Sequence, residues 1–371
     1  MPSERRIAVI CTRRLGDVLL ATALIRSLRR AAQPGTRIEA LVSPETVPAL
    51  IGNPDVDEII PIVHRPTWRE RWALFRRIFR RYEVAVTTIF SDRAHILALL
   101  ASSRRVAMIP PANEPGAGWK EWLSWKSLRA NDRVMHAVEQ NLRLVERMGI
   151  PRWPEIVPPR PTDPSTIECK LGKHWTDQPY AIVHPAAMYP YKGWTEQGWR
   201  AIVADLVARG LRVYVTGGPA AAERALAASI VEGMDADRVT NLAGALQFPE
   251  LTPLIEGARV FVGPDTSVTH LAAATGVATI ALFGPSNVIA WGPWPRSASG
   301  RSPAKWKMTA PLQHQGNVWI VQGMTHCVPC LLEGCERHQQ SRSDCLSQLP
   351  AERVLAVIGQ ALEIDRVGRA A

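Results

Sequence analysis

Short apolar runs alternate with longer amphipathic stretches along the chain, and the alternation starts twice. In the first half, residues 7–11 read as a strand. The helix predicted over 16–32 gathers Leu19, Leu20, Ala23, Leu24 and Leu28 on one face. Strands are expected at 38–42, 58–63 and 84–90, a basic helix at 68–81 and another helix at 93–101. A helix over 135–148 stops at Gly149, a usual helix end. Six prolines between Pro151 and Pro164 exclude a helix interior or a central strand, so this stretch reads as an interdomain linker. The rhythm then resumes with strands at 180–184, 211–216, 260–262 and 277–283, separated by helices at 195–209, 220–230, 249–257 and 268–274. Strands spaced by helices build βαβ units with parallel sheets. The predicted fold class is therefore α/β, with two Rossmann-like domains whose parallel sheets face a central cleft. The expected boundaries are 1–160, 161–348 and a last helix, within 349–371, packing back toward the linker.

Composition agrees with this picture and narrows the setting. The 371 residues leave room for two domains, and 46% hydrophobic with 21% charged residues exclude a disordered chain. No apolar run is long enough to cross a bilayer, and the polar residues 1–6 lead directly into a strand without a signal-peptide pattern. A cytoplasmic location is expected. The net charge of +10 favours anionic partners. Nucleic acid is not expected among them, because no recognised binding motif accompanies the charge.

Four strand-to-helix junctions carry candidate chemistry. Arg14-Leu15-Gly16-Asp17-Val18 follows the first strand, at the carboxyl edge where open α/β sheets bind ligands. Asp17 there also has an ordinary reading as a first-turn acid favoured by the helix dipole. His184-Pro185 begins a loop that reaches Lys192, a point charge able to meet a phosphate. Thr216-Gly217-Gly218 permits close backbone approach, and Glu223 on the next helix is a carboxylate suited to ribose hydroxyls. Asp265-Thr266-Ser267 opens a helix whose N–H groups suit a diphosphate, with His270 one turn in. The GxGxxG fingerprint is missing, which argues against a nicotinamide-dependent oxidoreductase.

The order of these motifs resembles glycosyltransferase family 9, the ADP-heptose:lipopolysaccharide heptosyltransferases. The matching stretches are Arg14 to Val18, His184-Pro185 with Lys192 and Trp194, and Gly217-Gly218 with Glu223. Asp265 to Ala273 and Phe283-Gly284-Pro285-Ser286 complete the set. The resemblance implies a GT-B fold and an inverting transfer of a heptose or related sugar from an ADP-sugar to an inner-core lipopolysaccharide acceptor. By the same resemblance Asp17 is the catalytic base and Lys192 stabilises the leaving diphosphate. Gly16, His184, Thr216, Gly217, Gly218, Glu223, Asp265, Thr266, Ser267 and His270 would bind the donor, with Leu246 where the adenine pocket is lined. Arg14 and Arg93 would bind an anionic acceptor. No cofactor is implied for transfer, and the place of work would be the cytoplasmic face of the inner membrane, touched peripherally. The chain departs from relatives at Arg13, Arg14, Ala186, Ala187 and Ser267. Rival readings are a protein O-heptosyltransferase modifying an adhesin and a non-catalytic nucleotide-sugar-binding relative. The latter would lack Asp17 or Lys192, and both are present.

Two further features stand outside that core. Cys327, Cys330, Cys335 and Cys345 offer four thiolates in one loop-rich segment, a set suited to structural zinc or iron, and related protein heptosyltransferases hold iron on four cysteines. Reduced, metal-free thiols are the plain alternative. The stretch 65–81 interleaves arginines with Trp68, Trp72, Phe75 and Phe79. Its apolar face is expected to pack on the sheet while the arginines face water or an anionic bilayer.

Overall fold

In a computed structural model that describes residues 5–296 and 305–370, the described chain forms two compact units that part between Pro159 and Arg160. The first unit runs β1 (Arg6–Cys11), α1 (Leu15–Ala31), β2 (Arg37–Val42), β3 (Glu58–Pro61), α2 (Trp68–Ile78), β4 (Val84–Thr87), α3 (Asp92–Ala101), β5 (Arg105–Ile109), α4 (Ala117–Leu123), β6 (Lys126–Arg129) and α5 (Ala137–Arg147). Its six strands are all parallel, in the order β3-β2-β1-β4-β5-β6. A parallel sheet is covered on both faces, which is why β1 and β2 are nearly continuous apolar runs. The one buried acid in them, Glu39, is met by the Arg6 guanidinium and by the Tyr82 hydroxyl at 2.7 Å.

Right-handed crossovers put α1 and α5 on one face, where they pack on each other, and α2, α3 and α4 on the other. Lys120 of α4 pairs with Asp92 of α3 at 2.7 Å, and the Arg80 N–H after α2 donates to the Leu100 carbonyl of α3. Side chains of α1 strap the proline-rich stretch in place. Ser27 Oγ accepts the Trp153 N–H at 2.8 Å, and Thr22 Oγ1 accepts that of Val157 at 2.9 Å.

The basic helix departs from expectation. Only Ile78 of α2 is buried, and Trp68 and Trp72 are 72% and 56% exposed. The reason is position: α2 rests mainly on α3 rather than on the strands, so its aromatic side chains have no sheet to cover.

The second unit runs α6 (Ser165–Leu171), β7 (Tyr180–Val183), α7 (Glu196–Ala208), β8 (Arg212–Val215), α8 (Ala221–Val231), β9 (Val239–Asn241), α9 (Leu251–Glu256), β10 (Val260–Pro264), α10 (Ser267–Thr275), β11 (Thr279–Phe283), α11 (Val288–Trp291), β12 (Leu312–Gln315), β13 (Val318–Gln322), α12 (Asp344–Ser347) and α13 (Ala351–Ala370). The sheet order is β12-β13-β11-β10-β7-β8-β9, with only β12 antiparallel. Trp199, Ile202, Val203 and Leu206 of α7 and Val354, Val357 and Ile358 of α13 share one core with the strands. The last helix thus packs on α7 inside this unit, and Arg259 pairs with its Asp365 at 3.1 Å.

β12 and β13 form a hairpin turned at Gly316, whose φ of +58° suits a residue without a side chain. β13 is buried throughout, whereas β12 is exposed or half-buried. In both units the strand order reverses at one point, between β1 and β4 and between β7 and β10. Ligands bind at such switch points, outside the carboxyl ends of the strands.

Candidate active site

The turn after β1 brings Asp17 to the switch point of the first sheet. Asp17 sits in the first turn of α1, where its Oδ2 accepts the Arg14 backbone N–H at 3.2 Å and lies 3.9 Å from Arg13 Nε. The ordinary role as a first-turn acid is therefore real. It does not exhaust the residue, because burial pushes the carboxyl up from its usual range, against the opposing pull of Arg13 and Arg14. Gly16 precedes it in the helix, and the side chain of Arg14 is exposed. Arg93 is at the same edge, but its guanidinium donates to the carbonyls of Ile62 and Val63 and contacts His64 Nδ1 at 3.3 Å. It braces the loop after β3.

Three residues here escaped sequence reasoning. Asp132 is near enough to Asp17 to help raise its carboxyl, and its own Oδ1 accepts from Gln140 at 2.8 Å. Lys120 is buried against the exposed Asp92, and His95 is buried with its Nε2 unpartnered. Asp132 and Lys120 lie in the stretch holding β5, α4 and β6, none of which is predicted, so no sequence signal carried them to the strand edge. His95 lies inside a predicted helix, where a lone histidine carries no signal.

In the second unit the loops after β7, β8, β10 and β11 converge on the other switch point. The Lys192 ammonium meets Asp265 Oδ2 at 2.6 Å in a largely buried ion pair. Burial works to raise the Asp265 carboxyl, but Lys192, then His270, then a hydrogen bond from Ser286 outweigh it and hold the group below its usual range. Thr266 caps α10, its Oγ1 accepting the Thr269 N–H, and Ser267 is the first helical residue. The leading N–H groups of such a helix have no partner within it and favour an anion.

His270 is buried with Nδ1 unpartnered, and burial brings it down to about 4. His184 is likewise brought to about 4 by burial, and its Nδ1 lies 2.9 Å from Thr216 Oγ1. Both imidazoles are neutral at pH 7, so the cation of this site is Lys192. In the β8 loop the Gly218 N–H donates to Glu223 Oε2 at 2.6 Å. A Cβ on Gly218 would stand 2.7 Å from that oxygen, and one on Gly217 3.2 Å from the Ala243 Cβ. These glycines provide room rather than an unusual backbone angle. Leu246 is half-buried in the loop after β9.

The expectation of zinc or iron at the four cysteines finds no support. Among the described residues, no group of three or more His, Cys, Asp or Glu side chains is placed to hold a metal ion. The thiols are close enough to sense one another: burial first, then Cys330, Cys327 and Cys335, push Cys345 up to about 12. Their settings nonetheless differ. Cys345 is buried in α12, Cys327 and Cys335 are exposed, and Cys335 Sγ accepts the Asp344 N–H at 3.3 Å.

Comparison with known proteins follows the same lines. The description "Glycosyltransferase family 9 (heptosyltransferase)" belongs to the family profile that matches residues 93–315. Lipopolysaccharide heptosyltransferase 3 of Escherichia coli is 28% identical over 287 residues, covering 75% of this chain and 83% of its own. Lipopolysaccharide heptosyltransferase 1 of Pseudomonas aeruginosa is 26% identical over 361 residues, covering 94% and 93%. The solved structure of the E. coli ADP-heptose lipopolysaccharide heptosyltransferase II superposes with a TM-score of 0.72 at 19% identity, over 97% of this chain and 99% of that one.

Proposed function

The chain belongs to glycosyltransferase family 9, and from that premise we propose that it moves a heptose or closely related sugar from an ADP-sugar to an inner-core lipopolysaccharide acceptor, with inversion at the anomeric carbon. The observation that carries this reading is the group at the second switch point: Lys192 fixed by Asp265 beside the capped start of α10. A fixed cation next to unpartnered helix N–H groups is a setting for charge that grows on a leaving diphosphate. The relatives named above are heptosyltransferases, one titled with ADP-heptose, which favours that donor over other nucleotide sugars.

In the proposed step an acceptor hydroxyl oxygen bonds to the anomeric carbon as the bond from that carbon to the diphosphate oxygen breaks. Asp17 takes the hydroxyl proton, and ADP departs with the bonding pair. One displacement inverts the centre and needs no protein nucleophile. A carboxylate raised by burial is a stronger base than an exposed one, which suits it to an alcohol acceptor. Arg14, beside Asp17, is the cation for a phosphorylated acceptor. Glu223 is assigned to the ribose and Leu246 to the base. The acceptor is lipid-borne, and transfer takes place at the cytoplasmic face of the inner membrane.

The test is a donor screen. ADP should raise the melting temperature at concentrations where UDP and GDP do not, and ADP-heptose should then be consumed in the presence of a deep-truncated lipopolysaccharide. Equal stabilisation by all three nucleotides would remove the ADP assignment.

A further inference from the structure

The chain has thirteen tryptophans, and five of them are exposed: Trp68, Trp72, Trp119, Trp122 and Trp125, at 72%, 56%, 37%, 83% and 48%. All five lie on α2, on α4 or just before β6, so they belong to the single helical layer α2-α3-α4 on one face of the first sheet. That layer is continuous. Lys120 reaches Asp92, the Trp119 ring meets His95 edge-on at 5.9 Å, and Ile96 between them is also exposed. The other eight tryptophans are buried or half-buried.

Cations accompany the rings. Arg69 lies over Trp68, and Arg104 and Lys126 lie over Trp125 at 5.0 and 4.5 Å. Between residues 65 and 81 stand seven arginines and a single acid, Glu70, which accepts from the Thr67 backbone and hydroxyl. The asymmetry extends to the whole molecule. Residues 1–159 hold 25 of the 44 basic and 16 of the 34 acidic residues, so nine of the ten net positive charges lie in that stretch.

Exposed indole rings among arginines, on the outer side of one helical layer, match the interfacial zone of an anionic bilayer. Rings of this kind sit at headgroup depth with their apolar body inward and N–H outward. Basic side chains beside them meet lipid phosphates. We propose that the α2-α3-α4 face of the first unit is a docking surface for an anionic lipid bilayer, with Trp68, Trp72 and Trp122 entering the headgroup layer. Charge complementarity alone would also suit a polyanion; one without bases to stack gives no reason for tryptophans at 72% and 83% exposure on the same face, and a nucleic acid is separated from a bilayer by the test below. The proposal extends the functional reading by naming the face that meets the membrane, and it is tested without any sugar transfer.

The experiment is co-sedimentation of the full chain with vesicles of phosphatidylglycerol and phosphatidylethanolamine, against vesicles of phosphatidylcholine. Binding to the anionic vesicles is expected to be stronger by roughly tenfold or more and to weaken with salt. The combined W68S, W72S and W122S variant should bind at least about tenfold more weakly, with an unchanged melting temperature because all three side chains are exposed. The R69Q and R76Q pair should lose several-fold and flatten the salt dependence. Three results would each overturn the proposal: no preference for anionic vesicles, wild-type binding by the tryptophan variant, or a dimer in sedimentation velocity that this variant dissolves. Tighter binding to a nucleic-acid polyanion than to vesicles would do the same. Failure of the donor screen with vesicle binding intact would leave this face assigned and the sugar reading lost.

Discussion

Replacing Lys192 by Met removes the cation and keeps the length of the side chain. In the wild type Asp265 is buried and held ionised by that ammonium at 2.6 Å, with His270 and Ser286 as lesser support. Without it, burial becomes the dominant influence on a carboxylate that has lost its charge partner. Breaking a buried pair costs about 3–5 kcal/mol, and the lower end applies because the Lys192 side chain is 19% exposed. At about 3 kcal/mol, the melting temperature of a unit of this size should fall by roughly 6–12 °C. The dependence on pH gives the sharper test. The folded-state pKa of Asp265 is lowered in the wild type, so its stabilising contribution is present above the unfolded value and is lost as pH falls through the folded one. In the variant burial sets the folded pKa above the unfolded value, so the penalty is full at pH 7 and is relieved on acidification as the folded carboxyl takes a proton. The gap between the two proteins should therefore narrow from pH 7 toward pH 4, measured by thermal and urea melts across that range. Adding D265N should recover part of the loss at pH 7. A gap independent of pH, or no recovery in the double variant, would refute the reasoning.

Other outcomes follow from the same geometry. D17N should retain ADP binding and lose about 10²–10⁴-fold in turnover; near-normal turnover would remove Asp17 as the base. In the wild type the acid limb of kcat/KM should lie above the ordinary aspartate range, since activity falls as pH drops through a raised pKa, and this limb should vanish in D17N. G218A forces a Cβ to 2.7 Å from Glu223 Oε2 and should raise the donor KM several-fold with a small change in melting temperature; an unchanged KM would detach the β8 loop from the donor. His184 and His270 both have folded values near 4, so the unfolded chain binds more protons between about 6.5 and 4. Stability of the second unit should fall with pH through that window, and a flat profile of melting temperature would contradict the burial of both rings.

The parts of the fold that were legible in the sequence are those where burial dictates composition. β1, β2, β7, β8, β10 and β11 are covered on both faces and read as apolar runs, and the junctions after β1, β7, β8 and β10 carried Asp17, Lys192, Glu223 and Asp265 to the strand edges expected of them. β6 was not legible, because Lys126–Arg129 buries only Leu128 and owes its place to hydrogen bonding with β5. β5 is short and sits between polar residues and two prolines. β13 differs: Val318–Gln322 is an apolar run after a Gly316-Asn317 turn, a hairpin signal available to sequence reading. The tie of Arg93 on α3 to the β3 loop was beyond reach, since it joins residues 31 apart in sequence whose distance in space the spacing does not fix.

The hairpin at the end of the second sheet has a consequence for solubility. β13 is an uncharged five-residue strand, Val-Trp-Ile-Val-Gln, of the kind that nucleates cross-β assembly when its edge is open. Its neighbour β12, Leu-Gln-His-Gln, lies across that edge, its half-buried Gln313 and Gln315 tied to the backbone of Lys307 and Lys305 and its exposed His314 stacked 4.1 Å from Trp319. β12 serves as a gatekeeper. A chain shortened through residues 305–316 should precipitate during refolding even where its catalytic loops are intact, because templated growth would begin from the uncovered strand.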